Sequence, residues 1–182
     1  MRSVTLLAAL FLAALSAVAA PPSILGHVTP SSYVNDHFHF AYDWPKILSP
    51  FDNATLSVPP PTANQFVLFS AQQKNTVYGV ILMALRQTPS PGYAGFKNGN
   101  DLLSQMLTHF HPENHMTVSH RMTVTSPAGL KFDEVDYQAN GQFCSGMATQ
   151  IGDFLIVFRI NAGSASDLAI LTKSALATRK LN

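Results

Sequence analysis

The chain has 182 residues, 47% of them hydrophobic and 12% charged, and a formal net charge of +1 at pH 7. This apolar, weakly charged composition is not typical of disordered proteins, and no cluster of lysine and arginine indicates nucleic acid or anionic lipid as a ligand. The length suits one domain with a single core.

The chain begins with the segment MRSVTLLAALFLAALSAVAA, which has a basic residue at Arg2, an apolar run over residues 4–15 and small residues at Ala17 and Ala19. This pattern is typical of a secretory signal peptide, and the apolar run is short for a membrane span. We therefore predict a signal peptide at residues 1–19 and export to the periplasm or the extracellular space. After cleavage we expect no stable membrane insertion.

Segment 20–32 is rich in proline and predicts an irregular N-terminal arm, followed by one α+β domain over residues 33–182. The stretch YVNDHFHFAYDWP then places aromatic residues at every second position, which predicts a strand that ends before Pro45. The proline-rich region 49–64 predicts a loop, with at most a short strand at residues 55–58.

Two apolar runs, QFVLFSAQ and TVYGVILMALRQ, are separated by QKN and predict a β-hairpin. After a cluster of glycine and proline, the stretch DLLSQMLTHF repeats apolar residues at helical spacing. We expect Asn100 or Asp101 to cap this helix and Pro112 to end it.

From Met116 the chain again predicts strands, in the runs MTVSHRMTVT, LKFDEVDYQA, QFCSGMATQ and DFLIVFRIN. The pairs Asn140-Gly141 and Gly152-Asp153 separate the last three runs and are typical of hairpin turns. These four segments therefore predict an antiparallel meander.

The final segment, SASDLAILTKSALATRKL, predicts a helix that Ser164 or Ser166 caps and that runs to about Arg179. The basic residues Lys173, Arg179 and Lys180 would then favour the C-terminal end of the helix dipole. The order of elements indicates an α+β fold, in which helices pack on a largely antiparallel sheet.

The run FHFAYDWP, the meander LKFDEVDYQANGQFCSGMATQIGDFLIVFRINA and the closing helix resemble the PsbP-like family of small exported domains. The resemblance covers residues 33–182 and implies an α/β/α sandwich. It also implies a non-enzymatic accessory or binding domain, attached in some relatives to photosynthetic complexes or to surface lipoproteins. It supplies no catalytic residue, and this chain lacks the cysteine that would tether a lipoprotein.

Four of the seven histidines lie within the stretch THFHPENHMTVSH. His109 and His111 point to different sides of the predicted helix, while His37 and His39 share a face of the predicted strand. A low-affinity Zn or Cu site would combine His37, His39, His111 and His115 if these segments met in space. No H-E-x-x-H spacing is present, so the interpretation we favour is an incidental polar cluster without a cofactor.

The acidic residues Asp133, Glu134 and Asp136 form the main acidic cluster, on a predicted strand. Strand alternation sends Asp133 to one face and the other two to the opposite face, so we predict a solvated edge in preference to a carboxylate pair or a calcium site. The single cysteine, Cys144, lies in a strand-like run and is expected to be a small buried hydrophobic residue.

Trp44, the only tryptophan, closes the first predicted strand and is expected to be a core anchor. The alternative is a ligand-binding groove in which Trp44 forms an aromatic wall with Tyr93 and Phe96 of the glycine-rich loop. Both interpretations stay open at the level of the sequence.

No hydrolase, P-loop or dinucleotide fingerprint occurs in the chain. We therefore predict an exported, non-enzymatic binding or accessory domain for a protein, peptide or small-molecule ligand, which it would recognise through a sheet edge or the aromatic loops. The alternative is a secreted hydrolase or metal-binding protein that uses the loop histidines.

Overall fold

The computed structural model describes residues 24–51, 64–91, 94–108 and 116–181. Within these residues the chain forms eleven strands and two helices, and every strand pairing is antiparallel. This confirms the α+β class predicted from the sequence.

The strands form a small four-stranded sheet, in the order β1-β2-β3-β11, and a large seven-stranded sheet, in the order β4-β5-β6-β10-β9-β8-β7. The bounds of the strands are β1 His27–Val28, β2 Ser32–Asn35, β3 Phe40–Asp43, β4 Ser49–Pro50, β5 Gln65–Gln72, β6 Gly79–Arg86, β7 Thr117–Thr125, β8 Lys131–Ala139, β9 Gln142–Ile151, β10 Phe154–Ala162 and β11 Arg179–Lys180. The helices are α1 Gly99–Thr108 and α2 Ala165–Leu176.

The hairpins of the large sheet follow the predicted turns. Asn140 and Gly141 join β8 to β9 with φ values of 51° and 73°, the left-handed geometry that a tight two-residue hairpin turn requires. Gly152, with φ 58°, serves the turn between β9 and β10. The predicted hairpin β5–β6 is also present, although its connection spans residues 73–78.

The large sheet is covered on both faces. On one, called the α2 face, α2 and the small sheet enclose a core that includes Phe132, Met147 and Phe158. On the other, called the α1 face, α1 packs on β8 and β9 over a core that includes Leu103 and Val157. This arrangement is the α/β/α sandwich that the resemblance to the PsbP-like family implies.

Helix α1 begins earlier than predicted. The side chain of Asn98 accepts a hydrogen bond from the backbone N–H of Asp101 at 2.9 Å, so Asn98 is the capping residue in place of Asn100 or Asp101. Leu102 and Leu103 are buried on the sheet, as their helical spacing predicts.

Helix α2 ends at Leu176, before the predicted limit at Arg179. Ser164 caps its start and accepts from the N–H of Asp167, as predicted. The predicted dipole role of Arg179 is wrong, because Arg179 lies in β11, where its guanidinium bonds both carboxylate oxygens of Asp43 at 2.9 and 3.0 Å. Tertiary pairing of β11 with β3 therefore replaces the last helical turn.

The N-terminal part of the domain differs most from prediction. The segment predicted as an irregular arm contains β1, which pairs with β2. The predicted strand around Phe38 is instead a turn over residues 36–39 between β2 and β3. His37 and His39 therefore do not share a strand face, and His39 has a left-handed φ of 52°. The predicted short strand at 55–58 lies outside the described residues.

Candidate functional site at the open edge of the large sheet

Among the described residues, strand β7 is the last strand of the large sheet and pairs with β8 alone. Its sequence, TVSHRMTVT, is rich in β-branched and polar residues, which suits a strand that is solvated on both faces. Eight of its nine residues are exposed and Val124 is half-buried. An edge strand of this kind presents backbone N–H and C=O groups that a further strand can pair with.

The edge has two unequal halves. A register shift between Val118 and His120 marks a β-bulge, which bends the strand and interrupts regular pairing. From His120 to Thr125 the pairing with β8 is regular. The regular half is therefore the part of β7 that matches the geometry of an added strand.

On the α1 face, hydrogen bonds fix β7 in place. Arg121 donates from Nη1 to the hydroxyl of Ser104 in α1 at 3.0 Å, and Thr123 donates to Asp133 at 2.9 Å. Asp133 also accepts from the backbone N–H and the side-chain amide of Asn100, at 3.0 and 3.1 Å. This carboxylate joins the start of α1, β8 and β7, so the edge strand is held rigidly on its inner side.

On the α2 face, three polar residues lie side by side across three strands. His120 of β7 is opposite Asp136 of β8, and Asp136 is opposite Ser145 of β9. We call these residues the polar row. Oδ1 of Asp136 and Oγ of Ser145 are buried and find no hydrogen-bond partner in the described part of the chain. Buried polar atoms of folded proteins are nearly always paired, so these two are exceptions, and their burial keeps them out of reach of donors at the surface.

Glu134 lies beside the polar row and is only 6% exposed. The prediction of a solvated acidic edge is therefore wrong for this residue, although the predicted division of the acids between the two faces is correct. Burial raises the pKa of Glu134, the negative charge of Asp136 raises it further, and His120 opposes the shift. The carboxyl of Glu134 therefore holds its proton to higher pH in the folded protein than in the unfolded chain.

The raised pKa of Glu134 predicts a pH dependence of stability. Above its ordinary pKa of 4.5 the folded protein holds this proton more tightly than the unfolded chain does, so the free energy of unfolding falls as pH rises through the folded pKa. We expect Glu134→Gln to remove this loss, so that the variant gains stability relative to the wild type as pH rises from about 4 to about 7. Urea denaturation across that range measures the difference, with Asp153→Asn as an exposed control. A difference that stays constant with pH would contradict the prediction.

The polar row does not have the order of a nucleophilic catalytic site. In such a site the histidine lies between the nucleophile and the carboxylate, so that it can accept the proton of the nucleophile. Here Asp136 separates His120 from Ser145, and Nε2 of His120 lies 3.0 Å from the sulfur of Met122. This order does not suit nucleophilic catalysis at the polar row.

The described residues are similar to a solved structure. The solution structure of cyanobacterial PsbP (CyanoP) from Synechocystis sp. PCC 6803 matches with a TM-score of 0.59, over 85% of this chain and 95% of that chain. The chain has a PsbP-like fold. The sequence identity is 9%, so the likeness concerns the fold alone. No protein-family model matches the sequence, and no curated protein matches it.

The predicted metal site lies partly outside the described residues. His37 and His39 are exposed in the turn before β3, and His109, His111 and His115 lie outside the described residues. Within residues 24–51, 64–91, 94–108 and 116–181, no group of three or more His, Cys, Asp or Glu side chains is placed to hold a metal ion. A Zn or Cu site at the loop histidines stays a prediction.

The predicted aromatic groove is not assembled from the residues that are described. Trp44 stacks on Phe69, with ring centroids 4.9 Å apart, and packs against the core of the α2 face. Phe96 packs against the core of the α1 face, on the other side of the large sheet. Tyr93 lies outside the described residues. Trp44 is half-buried and packs on the core, which agrees with the favoured interpretation of a core anchor.

Cys144 is buried on the α1 face, beside Tyr137 and Ala139, as predicted. Burial raises the pKa of its thiol, against the smaller opposing effects of Tyr137 and Arg159. The thiolate is therefore disfavoured, and the residue acts as a small hydrophobic side chain. Each helix in the described part of the chain has far fewer residues than a bilayer span requires.

Sequence reasoning identified β7 as a strand but not as the open edge. Its position follows from the strand order, which depends on contacts distant in the chain. One sign was present in the sequence: β7 lacks both the continuous apolar run of β10 and the alternate apolar residues of β8. A strand with polar residues on both faces is typical of an exposed edge.

Proposed function

We propose that the protein is an exported, non-enzymatic binding domain that captures an extended segment of a partner protein by adding it as a strand to β7. The observation that carries this proposal is the exposure of β7 along its length at the end of the large sheet. Strand addition supplies affinity through backbone hydrogen bonds and specificity through alternate side chains. The N-terminal sequence pattern supports export.

The other sheet edges in the described residues are too short for this role. Strand β4, at the opposite end of the large sheet, has two residues, and so do β1 and β11 at the ends of the small sheet. Strand β7 has nine residues, six of which pair regularly with β8. A segment of about five or six residues, the usual length of a strand, would match the regular half.

The side chains around β7 provide contacts for such a segment. Val118 and Met122 are 45% and 43% exposed, and they offer apolar surface on opposite faces of the edge. On the same face as Met122, the exposed imidazole of His120 provides a polar contact beside this apolar surface. A segment that carries an apolar side chain next to a polar one would match both features.

Site-specific photo-cross-linking tests the proposal in the native host. A photoreactive phenylalanine analogue at Met122 should yield a covalent adduct with a partner protein. The same analogue at Ile170, which is 45% exposed on α2, is the matched control and should not yield that adduct. Absence of an adduct from position 122, or equal adducts from both positions, would contradict capture at β7.

A further inference from the structure

A second concave surface lies on the α2 face, where the small sheet meets the ends of β8 and β9. It is a cleft of about 320 Å³, near the lower limit for small-molecule sites. Its lining consists of Phe38, His39, Phe40, Leu130, Gln150, Ile151, Lys180 and Leu181. We call it the β11 cleft.

The floor of the β11 cleft is apolar and rigid. Phe38 and Phe40 are 4% and 1% exposed, and Phe38 packs edge-on against Phe154 of the core at 5.3 Å. Leu130 is held in the turn between β7 and β8 by two hydrogen bonds. The backbone N–H of Ser126 donates to the carbonyl of Leu130 at 2.8 Å, and the backbone N–H of Leu130 donates to the hydroxyl of Ser126 at 3.0 Å. An apolar ligand would therefore enter a preformed surface.

The rim of the cleft carries a positive charge. Lys180 is exposed, and no aspartate or glutamate is among the described residues that line the cleft. The neighbouring Arg179 is neutralised by Asp43, while Lys180 has no carboxylate partner among the described residues. The N–H of Leu181 donates to the carbonyl of His39 at 2.9 Å, which fixes the end of β11 against the turn and keeps Lys180 at the rim.

We propose that the β11 cleft binds a small amphiphile with an apolar body and one anionic head, of the class of medium-chain or aromatic carboxylates. The body would lie on Phe38, Phe40 and Leu130. The carboxylate would pair with Lys180, and His39 and Gln150 at the rim offer further hydrogen-bond donors. The volume suits a short chain, so long-chain lipids would not be enclosed. This site is independent of strand capture at β7.

Calorimetric titration with octanoate, octan-1-ol and octylammonium separates the contribution of the ligand's anionic head from that of its apolar chain. We expect octanoate to bind, octanol to bind more weakly and octylammonium not to bind. Lys180→Gln should lower the affinity for octanoate roughly tenfold, as expected for loss of a charge-assisted hydrogen bond. The same substitution should leave the affinity for octanol unchanged. Lys131→Gln, an exposed lysine next to Leu130 outside the lining, is the matched control and should have no effect.

The location of binding is tested by methyl NMR. Octanoate should shift the methyl signals of Leu130 and Ile151 in the wild type, and the melting temperature of each variant should match that of the wild type. Octylammonium binding as tight as octanoate binding would overturn the proposal. Shifts confined to other residues, or unchanged octanoate affinity in Lys180→Gln, would also overturn it.

Discussion

Replacing Phe158 by alanine is expected to lower the free energy of unfolding by about 3–5 kcal/mol, the usual cost of removing a buried aromatic ring. Phe158 lies at the centre of β10 and is 0% exposed. Its ring packs edge-on against Tyr42 of the small sheet at 5.1 Å and lies 6.1 Å from the ring of Phe132 on β8. The residue therefore joins the two sheets through one core.

Urea denaturation of Phe158→Ala measures this loss. Ile170→Ala is the control, because Ile170 is exposed on α2 and its truncation should change stability by no more than about 0.5 kcal/mol. Phe158→Leu keeps most of the apolar volume and should lose less than the alanine variant. A loss below about 1 kcal/mol for Phe158→Ala would contradict the close packing of the two sheets.

Proline substitution in the regular half of β7 is expected to weaken binding of the partner protein. Successive residues of an edge strand direct their backbone N–H groups alternately toward the sheet and away from it. Proline removes the N–H, so Met122→Pro and Thr123→Pro remove one group of each kind. The variant that loses the outward N–H should bind the partner at least about tenfold more weakly with its stability preserved.

Of Met122→Pro and Thr123→Pro, the variant that loses the N–H directed toward β8 serves as the internal control. Loss of the N–H that bonds β8 should lower the free energy of unfolding by about 1–3 kcal/mol, because it leaves a β8 carbonyl without its donor. Thr123→Ala separates the loss of the hydrogen bond to Asp133 from the effect of proline. Unchanged partner affinity in both proline variants would show that β7 adds no strand.

Local patterns in the sequence were sufficient for much of the large sheet. Strands β8, β9 and β10 were predicted because apolar runs alternate with turn residues, and the Asn140-Gly141 turn has the positive φ angles that this pair favours. Ser164 caps α2 because its hydroxyl accepts from an N–H of the first turn. In each case the decisive interaction lies within a few residues of the chain.

The predictions that failed depend on contacts between distant segments. Helix α2 stops early because Arg179 pairs with Asp43, which is 136 residues away in the sequence. Glu134 is buried on the α2 face, which α2 and the small sheet cover, and strand alternation alone does not show how far this cover extends. His37 and His39 fall in a turn because β2 and β3 pair with each other, a choice that the alternating aromatic residues did not reveal.

The same limit applies to the candidate site. Strand alternation correctly placed Glu134 and Asp136 on one face, but the polar row also needs His120 and Ser145 from neighbouring strands. The register that aligns these strands is set by the fold as a whole. The β11 cleft likewise joins the turn before β3 to residues near the C-terminal end of the described chain.

Amide hydrogen exchange of the protein, alone and in complex with the partner captured at Met122, tests strand addition most directly. The account predicts that binding slows exchange along β7, most strongly at the outward-pointing amides of residues 120–125, where pairing with β8 is regular. Amides of α2 should exchange at the same rate in both states. Unchanged exchange along β7 at saturating partner would contradict the proposal that this edge is the binding surface.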